Sequence, residues 1–439
     1  MLEKLFKLSA NNTNVRNEVI GGITTFMTMS YIIFVQPVVL SVCGMDKDSV
    51  FLATCISSAI ATLLMAFIAN YPIALAPAMG HNFYFAYVVC LGMGVPWQTA
   101  LGANFIACAI FILLSFVGLR EKLVNSIPLS LKNAIAVGIG LLIALIGLEW
   151  SGLIVQVPGT MIGLGDLKSP YVLVSLFGVM VISILLTLRV KGAILIGLLV
   201  NAAAALLLGM TKFTGIVSAP PSISPTFLKL NIAGAFSWDM LGVIFTLFFL
   251  ALFDTVGTLI GIGEEAGFMK DGKLPKARQA LLSDAIGSAA GTVMGTSTVT
   301  SYIESSTGVA EGARTGLANV VTAVLFLLAI FFYPLIQMIS AGSVNGGVTL
   351  YPVIAPALII VGILMMSNVK TIDWDDFTEA IPAFLTIVIM SFSFSITEGI
   401  SFGFISYTLL KTVKGKFREV PVLVSVFAAL FVLRYIFLK

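Results

Sequence analysis

Apolar runs of roughly 18 to 25 residues, separated by short polar or charged stretches, recur along nearly the whole chain. About 20 residues at a ~1.5 Å rise cross a ~30 Å hydrocarbon layer, so each run predicts a membrane-spanning helix. The pattern places such helices near 19–43, 49–70, 97–118, 130–152, 170–189, 192–209, 238–262, 277–295, 316–338, 347–368, 377–394 and 397–413. Two further segments are interrupted. Residues 71–92, YPIALAPAMGHNFYFAYVVCLG, contain Pro72, Pro77 and an APAMG break, and residues 293–312 contain TSTVTSYIESST, a stretch of hydroxyls around one carboxylate, Glu304. Both predict broken spans with a short extended stretch, because non-helical backbone at membrane depth survives only where protein or a wet cavity satisfies it.

Counting each broken span as one crossing gives seven crossings before the polar loop at 210–237 and seven after it, to about residue 413. An odd number makes the second half enter from the opposite face, the plan of an inverted repeat whose discontinuous helices meet near the midplane. The spacing agrees: Tyr31 to Asn82 is 51 residues, and Asp254 to Glu304 is 50. The expected fold is an all-α polytopic membrane protein with 14 transmembrane segments as a 7+7 inverted repeat. The apolar tail at 420–437 is left over, as a fifteenth or an interfacial helix. Lys4, Lys7 and Arg16, Arg120, Lys122 and Lys132, Arg189 and Lys191, Lys270, Lys273, Lys276 and Arg278, and Lys411, Lys414 and Lys416 all fall on one side, which predicts that side, with the N-terminus, to be cytoplasmic.

Composition agrees. Of 439 residues 59% are hydrophobic and 10% charged, with mean hydropathy +1.07, which excludes a water-soluble globular class. A net charge of +3 gives no reason to expect nucleic acid. The polar N-terminal stretch has no apolar core and no small-residue cleavage site, so no removable signal peptide is expected. Cys43, Cys55, Cys90 and Cys108 show no CxxC spacing and read as packing residues. His81 is the single histidine, which rules out a histidine-based metal centre.

Chemistry concentrates in few places. Asp254, in LFFLALFDTVGTLIGIG, and Glu304 read as the two carboxylates deep within the spans. An acid at bilayer centre costs ~3 kcal/mol or more, so each should face a cavity or a partner. A half-helix starting near Ile303 would put Glu304 in its first turn, beside free N–H groups. The counterpart is APAMGHNFYFAY, where Asn82 offers an amide near the new helix start, as a ligand contact or as a plain N-terminal cap. His81 has a proton-relay reading, but it points about 100° from Asn82 on a helix, and packing is the favoured one. Phe83, Tyr84, Phe85 and Tyr87 supply aromatic surface, mostly for packing, with one face free to stack on a flat ligand. An Asp, a Glu, an amide and rings suit a planar heterocycle with N–H donors and carbonyl acceptors better than an oxyanion. Asp373, Asp375 and Asp376 read as helix-start acids, and Glu264 and Glu265 as solvated loop residues.

Taken together, NEVIGGITTFMTMSYIIFVQP, ALAPAMGHNFYFAY, LFDTVGTLIG and TSYIESSTGVAEGARTGLANV resemble the AzgA-like purine permease branch of the nucleobase cation symporter family 2, from about residue 14 to the end. The resemblance implies a core domain (14–118 and 238–338) and a gate domain (119–237 and 339–439), with substrate between them. It also implies proton-coupled uptake of a purine base, hypoxanthine or guanine first, across the cell membrane. Glu304 takes the place of the substrate-contacting acid, and Asp254 that of the proton-linked or orienting acid, with Thr258 one turn further along the same face. Asn82 and the backbone N–H groups near Phe83 and Ile303 would meet the ring. Glu304, Asp254 and His81 are the proton-coupling candidates. No cofactor beyond H+ is implied; membrane lipid is the surround, and a homodimer is an assembly to test. The chain departs from the family pattern at Gln36, His81 and Ala251, and each departure bears on which base is carried. The rival readings are an adenine or xanthine/uracil permease of this fold, an anion exchanger, and an intramembrane enzyme using the two acids; unaltered substrate after uptake separates the last.

Overall fold

The computed structural model describes residues 2–117, 128–269, 274–345 and 347–437, so Arg120, Lys122, Lys270 and Lys273 lie outside the described residues. Helices α1 (Val15–Met29) and α2 (Tyr31–Ser41) form the first span, with Ser30 at their junction. They are followed by α3 (Lys47–Leu64), β1 (Leu75–Pro77), α4 (Met79–Phe83, continued as a wider π-helical stretch to Gly92), α5 (Trp97–Val117) and α6 (Leu129–Trp150). Next come β2 (Ile154–Val157), β3 (Met161–Leu164), α7 (Pro170–Thr187) and α8 (Ala193–Leu207). The second half runs α9 (Trp238–Glu265), α10 (Ala277–Met294), β4 (Val299–Ser301), α11 (Ser305–Ala310), α12 (Gly316–Ala329) and α13 (Tyr333–Ile339). It closes with β5 (Ser343–Asn345), β6 (Val348–Leu350), α14 (Ala355–Met365), α15 (Phe377–Phe392), α16 (Ile396–Val413) and α17 (Val422–Phe437).

Seven helices among the described residues are long and apolar enough to cross a membrane, and four shorter apolar ones accompany them. Both broken spans hold the expected extended stretch. Their strands pair with each other, antiparallel, with Leu75 opposite Ser301, Ala76 opposite Thr300 and Pro77 opposite Val299. That pairing answers the backbone problem at membrane depth: each interrupted segment supplies the hydrogen bonds the other lacks.

Several expectations shift. The span expected at 347–368 starts only at Ala355, because Val348–Leu350 pairs as a strand with Ser343–Asn345, and a second antiparallel pair occupies part of 153–169. Glu264 and Glu265 are exposed but form the last turn of α9 rather than a loop. The tail at 420–437 is α17, a helix packed on α16 through Phe404 against Phe427 and Phe431.

By internal contacts the chain divides into one unit of residues 1–116 with 149–357 and another of 117–148 with 358–439. In the second, an apolar cluster of Ala134, Val137, Ile372, Ala383 and Ile387 is buried. Gly403 lets α15 and α16 approach: a Cβ there would meet the Thr386 hydroxyl at 2.0 Å. Lys411 is buried in a 2.7 Å ion pair with Glu379, to which the Ser130 and Tyr407 hydroxyls also donate. Asp376 caps α15 by accepting the Thr378 N–H at 2.9 Å, and Asp373 accepts the N–H groups of Asp375 and Asp376. A hydrogen bond from Lys414 is the largest influence holding the Asp376 carboxyl below the usual range.

In the first unit, α1 lies against α11 and α12. Gly21 and Gly308 make the contact possible: a Cβ on Gly308 would stand 2.2 Å from the Thr25 hydroxyl and 2.6 Å from the Gly21 carbonyl. Glu18, fully buried, accepts the N–H groups of Arg314, Thr315 and Ala318 at 2.8, 3.1 and 3.0 Å, so an acid of the first span caps the start of α12.

Candidate functional site

The paired strands carry the candidate residues on and around them. Gly295, at φ +96°, ends α10 and turns the chain into the second break. Strand β4 follows, then a turn through Tyr302 to Glu304, and α11 begins only at Ser305. Glu304 therefore stands at the N-cap of a six-residue helix, ahead of the first helical turn in which a start near Ile303 would place it. Ser305, Ser306 and Thr307 donate their N–H groups to the carbonyls three residues back, so Ile303 and Glu304 are the central residues of the first bonded turn.

The Glu304 side chain is buried, and the Tyr31 hydroxyl donates to its Oε1 at 2.7 Å. Tyr31, at the start of α2, is itself buried and lies beside Tyr302, whose hydroxyl donates to the Pro77 carbonyl at 2.5 Å. On the same face Thr28 and Thr307 share a 3.2 Å hydroxyl contact. Asp254, on α9, is half-buried and accepts from the Thr300 hydroxyl at 3.0 Å. Thr300 is the middle residue of β4 and Glu304 follows the strand by three positions, so one short segment ties both acids to the second break. Thr258 lies one turn beyond Asp254, largely buried, and Ile303 exposes about 45% of its side chain next to Glu304.

The other broken span holds its candidates differently. Ala78 is the N-cap of α4, and the Asn82 N–H is already bonded to the Ala78 carbonyl at 3.0 Å, so Asn82 is no cap. Its Oδ1 accepts from the Ser297 hydroxyl across the break, and its Nδ2 faces Met79 Sδ at 4.0 Å. Phe83 is buried against Tyr87 and Trp150, ring centroids 5.8 and 6.4 Å away. His81 is buried with its ring toward the Leu247 carbonyl, and its Nε2 has no hydrogen-bond partner among the described residues. The structure thus brings Glu304, Asp254 and Ile303 together around β4, ties Asn82 to the same segment through Ser297, and turns His81 toward α9.

The expectation of two deep carboxylates is corrected. Asp284, on α10, is fully buried: its Oδ1 accepts the Ser301 N–H at 2.9 Å and its Oδ2 the Thr255 hydroxyl at 2.7 Å. It sits inside a predicted span, but Lys276 and Arg278 a few residues earlier make it read as a membrane-face residue. Glu18, buried as well, lies just ahead of the first predicted span. The repeat spacing sets Tyr31 as the counterpart of Asp254, but carries no sign that its hydroxyl donates to Glu304.

Two asparagines brace the strands from outside. Asn104 on α5 accepts from Thr298 at 2.5 Å and donates to Thr292 at 2.9 Å; Asn319 on α12 donates to the Tyr71 and Ile73 carbonyls at 3.0 and 2.7 Å. Each fourth span clamps the break that belongs to the other half. Such rigid backing is what a small polar site requires to hold its geometry.

A xanthine/uracil permease model, described as a permease family, matches residues 16–404. The chain is 45% identical to the guanine/hypoxanthine permease PbuG of Bacillus subtilis, over 100% of both chains. It is 44% identical to the adenine permease AdeP of Escherichia coli, over 100% of this chain and 96% of that one. Among solved structures, the transmembrane domain of the cyanobacterial bicarbonate transporter BicA matches with a TM-score of 0.64 at 16% identity, covering 87% of this chain and 96% of that one, a likeness of fold alone.

Proposed function

The chain belongs to the xanthine/uracil permease family, and on that premise we propose that it carries a purine base inward together with a proton, hypoxanthine or guanine first. It is an integral membrane transporter and not an enzyme. The observation that carries the reading is the pair of acids on the two flanks of β4, Glu304 held by Tyr31 and Asp254 held by Thr300. Tyr31 and Thr300 are neutral hydroxyls and bring no counter-charge. Two nearby carboxylates repel, and a proton taken up with a neutral base relieves that repulsion while the base offers its N–H groups to the remaining charge.

In this reading Glu304 accepts a ring N–H in place of the Tyr31 hydroxyl, and Asp254 takes the proton or a second N–H. Thr258, the Ile303 backbone and the Phe83 side of the break complete the contacts. Asn82 engages Ser297 through its oxygen, and its amide nitrogen, whose nearest partner is the weak acceptor Met79 Sδ, offers an N–H donor. A donor matches the ring carbonyl of hypoxanthine or guanine, whereas adenine presents an amino group at that position. The relatives PbuG, a guanine/hypoxanthine permease, and AdeP, an adenine permease, support a purine and divide on which one, so adenine is the second reading. His81, facing α9, stands outside this set. The cell membrane, with the N-terminus on the cytoplasmic side, is the location that fits uptake.

Purified protein in liposomes tests this with radiolabelled hypoxanthine. An inward gradient of about one pH unit should drive up to about tenfold accumulation for one proton per base, the ratio that ~1.4 kcal/mol supports. Unlabelled guanine and hypoxanthine should compete better than adenine, xanthine or uracil. Accumulation that ignores the proton gradient defeats symport, and failure of every purine to compete defeats the substrate class.

A further inference from the structure

The second spans of the two halves brace their strands with unlike groups. In the first half Thr62 of α3 holds Leu75, donating to its carbonyl and accepting its N–H, both at 3.0 Å. In the second half the corresponding work on β4 falls partly to Asp284, whose Oδ1 accepts the N–H of Ser301 at 2.9 Å and its hydroxyl at 3.3 Å. A neutral hydroxyl is enough to brace a strand, as Thr62 demonstrates. Taking a carboxylate fully out of water is costly unless its lone pairs are well bonded. The acid must therefore do something that one hydroxyl cannot.

Its second oxygen supplies the difference. Oδ2 accepts from Thr255 at 2.7 Å, so a single side chain holds β4 and α9 at once. Thr255 is next in sequence to Asp254. Ser301 follows Thr300, the residue bonded to Asp254, and precedes Glu304 by three positions.

Resting on the purine-transport reading, we propose that Asp284 is a positioning residue of the transport site: by accepting from Thr255 and Ser301 together it fixes the separation of Asp254 and Glu304, and so the size of base the two acids grip. The role needs two acceptors pointing in two directions. Asparagine preserves it, since its oxygen still takes the Ser301 N–H while its amino group donates to the Thr255 oxygen. Alanine removes both arms, and Thr255→Val removes the α9 arm alone.

The test is uptake of radiolabelled hypoxanthine and adenine by liposome-reconstituted wild type, D284N, D284A and T255V. Misplaced acids weaken binding and raise KM, whereas a merely fragile protein lowers the active fraction and hence the maximal rate. D284N should keep KM within about threefold; D284A should raise it by about tenfold or more and T255V by about fivefold, each with a changed hypoxanthine-to-adenine preference. An unchanged KM and preference in D284A, or in T255V where D284A fails to insert, overturns the proposal. So does a D284N defect as large as that of D284A, which would make charge rather than geometry the requirement. Should wild type itself take up neither base, the transport reading fails instead, independently of Asp284.

Discussion

In the first break, Asn82 lies one turn into its helix and engages Ser297 through its oxygen; in the second, Glu304 stands at the helix cap and meets the Tyr31 hydroxyl. The backbone plan is otherwise shared: a three-residue strand, a short helix, an asparagine clamp from a fourth span and a polar brace from a second span. Where frames match and side chains differ, the frame is the price of interrupting a helix in lipid, and on the proposed reading the difference is what transport uses. The first break is mostly scaffold, and the second presents the acid.

The sharpest attempt to break this contrast is Glu304→Gln. Uptake should fall by about 100-fold, the order seen when a charge-assisted hydrogen bond to substrate is lost, with insertion and melting temperature little changed. A normal rate would assign the chemistry to the other break. Next comes Gly308→Ala, whose methyl collides with the Gly21 carbonyl and Thr25, forcing α11 from α1. Overpacking of this kind should cost about 2 kcal/mol, read as a drop in melting temperature in detergent.

Ser297→Ala strands the buried Asn82 oxygen without its donor. It should cost about 1–2 kcal/mol of stability and only a few-fold in KM, because the group it frees belongs to the frame. A loss of uptake as large as that of Glu304→Gln would erase the distinction between the two breaks. The smallest effect is expected far from both. Lys414→Met removes the largest influence depressing the Asp376 carboxyl, and a depressed acid adds stability above its unfolded pKa and loses it as pH falls through the folded one. The wild-type advantage in melting temperature should be constant near neutrality and shrink below about pH 4, the ordinary range for Asp.

Much of this was readable in the chain. Runs of apolar residues located the spans because lipid permits few alternatives, and Pro77 with the Thr- and Ser-rich stretch before Glu304 marked both breaks. Asp254 and Glu304 stood out because acids at that depth are rare. What escaped were relations that only three-dimensional proximity creates. No local rule says that Leu75 faces Ser301, that Tyr31 donates to Glu304, or that Ser297 takes the Asn82 oxygen. Asp284 was overlooked for a related reason: basic neighbours made its position look shallow, and its burial comes from α9 and β4 closing over it.

The strand pairing also dictates an order of assembly. Leu75, Ala76 and Pro77 enter the bilayer early, yet their partners Val299, Thr300 and Ser301 are made only after most of the chain has been threaded. Until then Thr62 serves Leu75, but the remaining amide and carbonyl groups of the early segment have no strand partner, and hydrocarbon cannot satisfy them; water, the insertion machinery or a provisional neighbour must shelter them. Biogenesis thus waits on its latest contact, and a nascent chain stopped short of Val299 should remain protease-sensitive at the first interruption.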